Sequence, residues 1–463
     1  MVRFAVNTPR CMLLARMGMG KSSAVLSAVN DLLIFGMARK VLVIAPLRVA
    51  RSTWPEEAAK WAEFEHLKVQ PIIGTADERK LALRNNKADI YSINYENLPW
   101  LVEQLGEHWP FDTVVADEAT KLKSFRLHQG GKRAAALSQV AHKKVRRWIN
   151  LTGTFVPNGL ADVWGPTWFV DQGRRLGSSF SAFENRWFGY RRAAEAVNAH
   201  KNRIQRVVFP HAQKEIMEKI SDIALAFNPK DWFDIKLPVV VPVYVDLPPA
   251  VKTLYRAMER EMFMHLKGYD IEAFASSGKV IKTMQLANGA VYTGSDEDVE
   301  RDVSHWVEAH DEKLQALESI VEEAGGEPVL VAYHFKPDLV RLKARFPQGR
   351  HINTKRDEDD FKAGLIPVAF VHAQSIGHGV DGFQNVCHII VFFALWWALE
   401  EHDQLIERIG PMRQVQAGFD REVVVYQILA RGTVDEEVAK RLVDKRRVQD
   451  ATMDTLALKP ENL

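Results

Sequence analysis

The chain has 463 residues, 47% hydrophobic and 26% charged, which excludes a disordered polymer and allows two or three domains with proper cores. With 61 Lys and Arg against 59 Asp and Glu, the formal net charge is +2, so a nucleic-acid surface would have to come from local clustering. Two cysteines, Cys11 and Cys387, exclude a disulfide framework or a four-cysteine zinc site, and both sit in apolar runs that read as buried thiols.

The N-terminus lacks an apolar signal core, because Arg10 and Arg16 bracket only "CMLLA". Along the first third, "CMLLA", "KVLVIAP", "ADIYSIN", "DTVVADEA" and "RRWINLTGT" each read as a buried parallel strand ending in polar residues or a turn. Helical patterns such as "KSSAVLSAVNDLLIFG" lie between them, and this rhythm predicts a doubly wound α/β lobe with ligands at the strand carboxyl ends. The middle is richer in helix-like segments, including "PAVKTLYRAMEREMFMHL" and "KVIKTMQLANGAVY". From about residue 328 the strand pattern returns in "EPVLVAYHF", "IPVAFVHA", "CHIIVFFA" and "REVVVYQIL". The fold class expected is α/β: two parallel-sheet lobes, 1–165 and 311–463 with a C-terminal helix, joined by a helical insertion and linker over 166–310. The longest apolar segment, "VCHIIVFFALWWALE", is too short to span a bilayer and contains His388, so no membrane and a cytoplasmic location are expected.

The stretch "CMLLARMGMGKSSAV" ends a strand, opens a helix and carries Gly18, Gly20, Lys21, Ser22 and Ser23. Small residues let backbone N–H groups close around phosphate, the lysine meets its charge and the Ser22 hydroxyl suits Mg2+. Ala15 stands where the phosphate-loop pattern has its first glycine, which is tolerable if φ stays negative. Downstream, "FDTVVADEATKLKS" delivers Asp117 and Glu118 to a strand end. An ATPase needs one acid there for the magnesium shell, Asp117, and one to orient and deprotonate water, Glu118. The plain alternatives are a chance Gly-Lys-Ser and a helix cap.

Between Thr120 and Asn150 lie nine Lys or Arg and no acid, and "RWFGYRRAAEAVNAHKNRIQR" adds six basic residues against Glu195 with aromatics interleaved. Either could track a phosphate backbone or be a solvated face. The basic "AKRLVDKRR" near the end could brace two lobes or touch DNA.

Taken together, these motifs resemble the Swi/Snf-type branch of superfamily two helicases, in wording nearest its compact bacteriophage and prophage versions. "VLVIAPLRVARSTWPEEAAKW" resembles the first DNA-contacting motif, "ADEAT" the DEAH box, "LTGTFVPNGLADVW" the third motif, "AQSIGHGVDGFQNVCHIIVFF" the fifth and "EHDQLIERIGPMRQ" the sixth. "VVVYQILARGTVDEEVAKRL" resembles the family's closing strand and helix. The resemblance implies that the two lobes are RecA-like and that the chain is an ATP- and Mg2+-dependent double-stranded DNA translocase; a monomer is expected, which a targeting, replication or recombination protein could direct. It implies coupling roles for Thr152, Gly153, Thr154, Gly379, Asp381 and Gln404, DNA contacts at Arg48, Asn94, Lys121 and Lys123, and γ-phosphate arginines at Arg408 and Arg413.

The chain departs from the family pattern in places. Pro411 occupies the usual second-arginine position, leaving Arg413 as the nearest candidate. Thr120 replaces the DEAH histidine and Phe155 the proline of the third motif. "MVRFAVNTPR" resembles only the tail of the helix that precedes the loop in the family, so either the start is trimmed or adenine is held less specifically. Rival readings are an unwinding helicase on single-stranded DNA or RNA and a low-turnover nucleotide-gated DNA clamp. A small-molecule kinase is disfavoured by the second lobe.

Overall fold

The computed structural model describes residues 1–16, 18–85, 87–127, 131–192, 204–266, 269–272, 276–293, 305–372, 374 and 381–458. The chain forms two compact units: Met1–Asp234 with Lys445–Leu463, and Ile235–Asp444.

The first unit is built on β1 (Arg10–Ala15), β2 (Val41–Ala45), β3 (Val69–Pro71), β4 (Ile90–Asn94), β5 (Thr113–Asp117), β6 (Arg147–Thr152) and β9 (Ala224–Phe227). Their order is β3-β4-β2-β5-β6-β1-β9, and every pairing is parallel. Successive side chains alternate between two buried faces. Cys11 and Leu13 join the core under the helix Lys21–Ile34, whereas Met12 and Leu14 join Trp148, Trp164 and Phe169 on the other face. Both faces are covered, which explains why β1 and β2 read as continuous apolar runs and why β4, β5 and β6 are buried throughout. Two antiparallel strands, β7 (Phe188–Arg192) and β8 (Ile204–Val208), form a separate two-stranded sheet.

Arg10 staples the amino end of β1 to two helix ends. Its guanidinium donates to the carbonyls of Val170 (2.7 Å), Val145 (2.8 Å), Phe169 (2.7 Å) and Ala141 (3.0 Å). These include carbonyls at the ends of Lys132–Ala141 and Trp164–Asp171, groups that lack intrahelical partners.

The second unit holds β10 (Val239–Val245), β11 (Phe263–Leu266), β12 (Tyr269–Glu272), β13 (Ala290–Tyr292), β14 (Trp306–Glu308), β15 (Val329–Tyr333), β16 (Arg350–His351), β17 (Val368–His372), β18 (Ile389–Phe392) and β19 (Val424–Ala430). Its main sheet runs β10-β19-β18-β15-β17-β16, again all parallel. Val329 and Val331 face one core, Leu330 and Ala332 the other.

All nine apolar runs predicted as strands are strands. The stretch 166–310 contains the expected helices, Pro249–Glu261 and Ser276–Asn288 among them, but it also contributes β9 and β10 as edge strands of the two main sheets. The division between the two compact units, at 234/235, lies within that stretch. The helical pattern "PAVKTLYRAMEREMFMHL" stops at Glu261 because Met262 turns left-handed (φ 53°), and β11 begins at Phe263. Both cysteines are buried and free, with burial pushing each thiol pKa up to about 12. Among the described residues, no helix is long and apolar enough to cross a membrane.

Candidate active site

Three adjacent strands deliver the motifs to one edge. Leu14 of β1 pairs with Thr152 of β6, and Asp117 of β5 pairs with Leu151. The strand carboxyl ends therefore release the glycine loop, the Asp-Glu pair and the Thr-Gly-Thr turn side by side, where open parallel sheets bind ligands.

Ala15 ends β1 in extended backbone, so that position has no need of glycine. Gly18 (φ 78°) and Gly20 (φ 67°) supply the left-handed residues that curl the loop, and Gly20 leads into the helix Lys21–Ile34. Lys21 Nζ donates back to the carbonyls of Ala15 (2.5 Å) and Arg16 (3.1 Å). Ser22 lies half-buried in the first helical turn beside Ser23, whose Oγ donates to the Gly20 carbonyl (3.0 Å). A Cβ on Gly153 would lie 3.5 Å from the Ala15 carbonyl oxygen and 3.7 Å from Lys21 Nζ, so this turn abuts the loop directly. Thr152 Oγ1 accepts from Thr154 N (3.1 Å) and donates to the Thr154 carbonyl (3.0 Å), fixing the turn. Phe155 fills the core behind it.

Asp117 is buried at the end of β5. Trp54, itself fully buried, donates Nε1–H to Asp117 Oδ2 (3.0 Å), and the Glu118 N–H donates to Oδ1 (3.1 Å). Burial raises the Asp117 carboxyl above its ordinary range, while the Lys21 charge and these two donors pull the other way. Glu118 adopts the left-handed region (φ 57°, ψ 54°), costly for a residue with a Cβ. Tyr95 helps to hold it there, donating its hydroxyl to the carbonyls of Asp117 (2.9 Å) and Glu118 (3.3 Å). Behind the following turn, Gly165 lets the helix Trp164–Asp171 press close, since a Cβ there would lie 2.4 Å from the Leu122 carbonyl oxygen. Thr120, at the DEAH histidine position, is buried.

The residues fit a magnesium nucleotide. Ser22 and Asp117 offer one hydroxyl and one carboxylate, the small protein share that Mg2+ takes when phosphate and water complete its shell. Among the described residues there is no cluster of three or more His, Cys, Asp or Glu arranged as a metal cage.

Arg48 follows β2 and is half-buried; Asn94 ends β4 opposite Ala45, donates to Glu96 (2.9 Å) and accepts from Asn97 (2.6 Å). Lys121 is exposed and Lys123 half-buried in the turn after Glu118. The longer basic run divides. Lys143, Lys144, Arg146 and Arg147 lie at the amino end of β6, away from the Thr152 edge. Lys144 pairs with Glu107 (2.6 Å), Arg146 with Asp112 (2.7 Å), and buried Arg147 donates to the Val6 carbonyl (2.9 Å). Much of the second basic cluster, 193–203, lies outside the described residues, as does Gly379.

In the second unit, Gln404 and Arg408 are buried on the helix Leu399–Ile409. Gly410 breaks that helix and Pro411 opens the next, Pro411–Gln416, which carries Arg413. Arg413 forms an ion pair with Asp381. Burial pushes the Asp381 carboxyl up, but Arg413, Gln384, the Gly382 N–H and the Arg408 charge together hold it below its ordinary value. The fifth- and sixth-motif residues thus share one cluster. Trp54, Tyr95 and Gly165 lie outside the set of site residues predicted from sequence. Only the tryptophan carries a signal there, as part of the first DNA-contacting motif.

A parallel sheet that presents a Gly-Lys-Ser loop, an Asp-Glu pair and a Thr-Gly-Thr turn at one edge defines the nucleotide-binding half of a superfamily-two ATPase. Residues 1–224 match the SNF2-related domain. A protein of Acyrthosiphon pisum secondary endosymbiont phage 1, p41, is 48% identical over 447 residues, covering 96% of this chain and 94% of its own. The mouse DNA excision repair protein ERCC-6-like is 22% identical over 93% of this chain, and the Mycoplasma genitalium uncharacterized ATP-dependent helicase MG018 is 22% identical over 94%. The chain spans only 39% and 40% of those two proteins. Among solved structures, the Sulfolobus solfataricus SWI2/SNF2 ATPase core in complex with dsDNA aligns over 98% of this chain and 91% of its own at 20% identity, with a TM-score of 0.43. The chain belongs to the SNF2-related family and is an ATPase of superfamily two.

Proposed function

We propose that the protein is an ATP-driven motor that translocates along double-stranded DNA, acting as a monomer in the cytoplasm of a phage-bearing host cell. The observation that carries this reading is the single sheet edge where Lys21, Asp117, Glu118 and the Thr152–Thr154 turn converge.

Bound Mg2+, held by Ser22 and Asp117, would offset charge on the β- and γ-phosphates. Lys21 would exchange its two carbonyl partners for phosphate oxygens. Glu118 would accept a proton from water as its oxygen bonds to the γ-phosphorus and the bond to the bridging oxygen breaks, giving ADP and phosphate. Arg408 and Arg413, gathered with Asp381, are the proposed source of positive charge for the spreading transition state. Gly153 abuts the loop, and the turn it forms with Thr152 and Thr154 continues toward Phe155, so these residues are suited to relay the loop's occupancy to Arg48, Asn94, Lys121 and Lys123 at or just beyond the neighbouring strand ends. Those four would meet the DNA backbone, as phosphate tracking needs charge and hydrogen bonds rather than base readout. A DNA excision repair protein among the relatives favours DNA as the track. A triplex-displacement assay tests the motor: directional displacement of a third strand without separation of the duplex is expected, and strand separation instead favours an unwinding helicase.

A further inference from the structure

The phosphate loop has a partner far away in sequence. Arg16, the residue that follows β1, places its guanidinium 2.6 Å from Asp450 Oδ1 across 434 positions. Asp450 lies on the helix Val434–Leu456, in the part of the chain that rejoins the first unit from Lys445 onward. That segment is anchored there without help from Arg16. Met453 and Leu456 enter the first unit's core. Asp454 accepts from Asn228 (2.8 Å) and pairs with Lys230 (3.1 Å). Leu458 N donates to the Ala226 carbonyl (3.0 Å). Asp450 is therefore a fixed post to which Arg16 is tied.

Arg16 is also the hub of the loop. Its carbonyl accepts from Lys21 Nζ (3.1 Å), and its Cα lies 3.7 Å from where a Cβ on Gly153 would stand. Fixing its side chain fixes the carbonyl that holds the lysine and the backbone that meets the Thr-Gly-Thr turn. The pair is partly exposed, 28% and 40%, so it adds little to global stability. Its effect falls on the loop, which must otherwise be ordered by the nucleotide itself at a cost to affinity.

We infer that Asp450 is a positioning residue for the phosphate loop: by holding Arg16 it keeps the loop ready for nucleotide, and the C-terminal segment is thereby part of the ATP site. This rests on the ATPase reading. Arg16→Ala removes both the tie to Asp450 and the loop's own cation, so it should be the more damaging change.

The test is equilibrium binding of a fluorescent ATP analogue with Mg2+ to the full chain, with steady-state ATP hydrolysis and thermal melting beside it. Asp450→Asn should weaken binding and raise KM by about five- to tenfold, with a smaller change in kcat and little change in Tm. Arg16→Ala should weaken binding further, and the double variant should resemble Arg16→Ala alone. Exchanging the charges, Arg16→Asp with Asp450→Arg, should recover part of the loss. Nucleotide affinity within about twofold of wild type for Asp450→Asn, or additive effects in the double variant, overturns the inference. Lys21→Ala separates the two claims: if wild type binds nucleotide but hydrolyses it no faster than Lys21→Ala, the ATPase reading fails while the Asp450 effect on binding still decides this one. No binding by wild type overturns both.

Discussion

Trp54 Nε1 donates to Asp117 Oδ2 at 3.0 Å, joining the start of the helix Trp54–Lys60 to the carboxylate proposed to hold magnesium. The tryptophan is fully buried, so its N–H has no water to fall back on, and the bond orients one carboxylate oxygen while the Glu118 N–H takes the other. Trp54→Phe keeps most of the packing and removes the donor. It should raise the Mg2+ concentration needed for half-maximal ATP turnover several-fold, on the order of the tenfold loss typical of groups that orient a metal ligand. A magnesium titration of the variant checks this, and an unchanged midpoint would disconnect Trp54 from the metal.

The Asp117 carboxyl is raised by burial, so the folded protein holds its proton more tightly than the unfolded chain does. That contribution to stability is present at low pH and is lost as pH rises through the folded pKa. Asp117→Asn carries no charge to desolvate. It should raise the nucleotide-free Tm at pH 7 by about 2–4 °C, equivalent to about 1 kcal/mol, while abolishing Mg2+-ATP hydrolysis. Melting curves at pH 5 and pH 7 read the sign: the gain over wild type should shrink at the lower pH.

Glu118 sits at φ 57°, where glycine is the comfortable residue. Glu118→Gln should retain nucleotide binding and lose about 10²- to 10⁴-fold in kcat. Glu118→Gly should be equally inactive yet melt higher, by about 0.5–1 kcal/mol of relieved strain. If the glycine variant melts lower than Glu118→Gln, the left-handed backbone is not strained as described.

Arg10 serves four carbonyls and is buried enough that its pKa falls to about 10, chiefly through desolvation and secondarily through Arg174. Replacing it with methionine leaves those carbonyls without their donor. The expected loss is about 2–4 kcal/mol of stability, read as a lower urea midpoint at unchanged slope.

The strands legible in the sequence are those buried on both faces: every residue of β2, β4, β5 and β6, and all of β1 but Arg10, is buried, and the runs are largely apolar. β10 escapes such a reading because it is an edge strand: Val239 and Val240 are exposed, and Pro242 interrupts the run, a residue tolerated at an edge but not inside a sheet. β3 has only three residues and no periodicity to read. Within the site, the glycine loop, Asp117–Glu118 and Thr152–Thr154 announce themselves by residue type. Trp54–Asp117 and Arg16–Asp450 do not, since no local pattern ties residues 63 or 434 positions apart. Charge counting also misleads in one respect. The run from Lys121 to Arg147 looks like one basic surface, but its last four members lie at the other end of β6 and three of them are engaged by Glu107, Asp112 and Val6.

Steady-state ATP turnover with and without double-stranded DNA, compared with single-stranded DNA and RNA at equal nucleotide concentration, tests the central claim most directly. Duplex DNA should raise kcat by about tenfold or more over the protein alone, the gain should fall as salt rises, and Glu118→Gln should abolish it. Turnover indifferent to duplex DNA, or stimulated only by single strands or RNA, would contradict the claim.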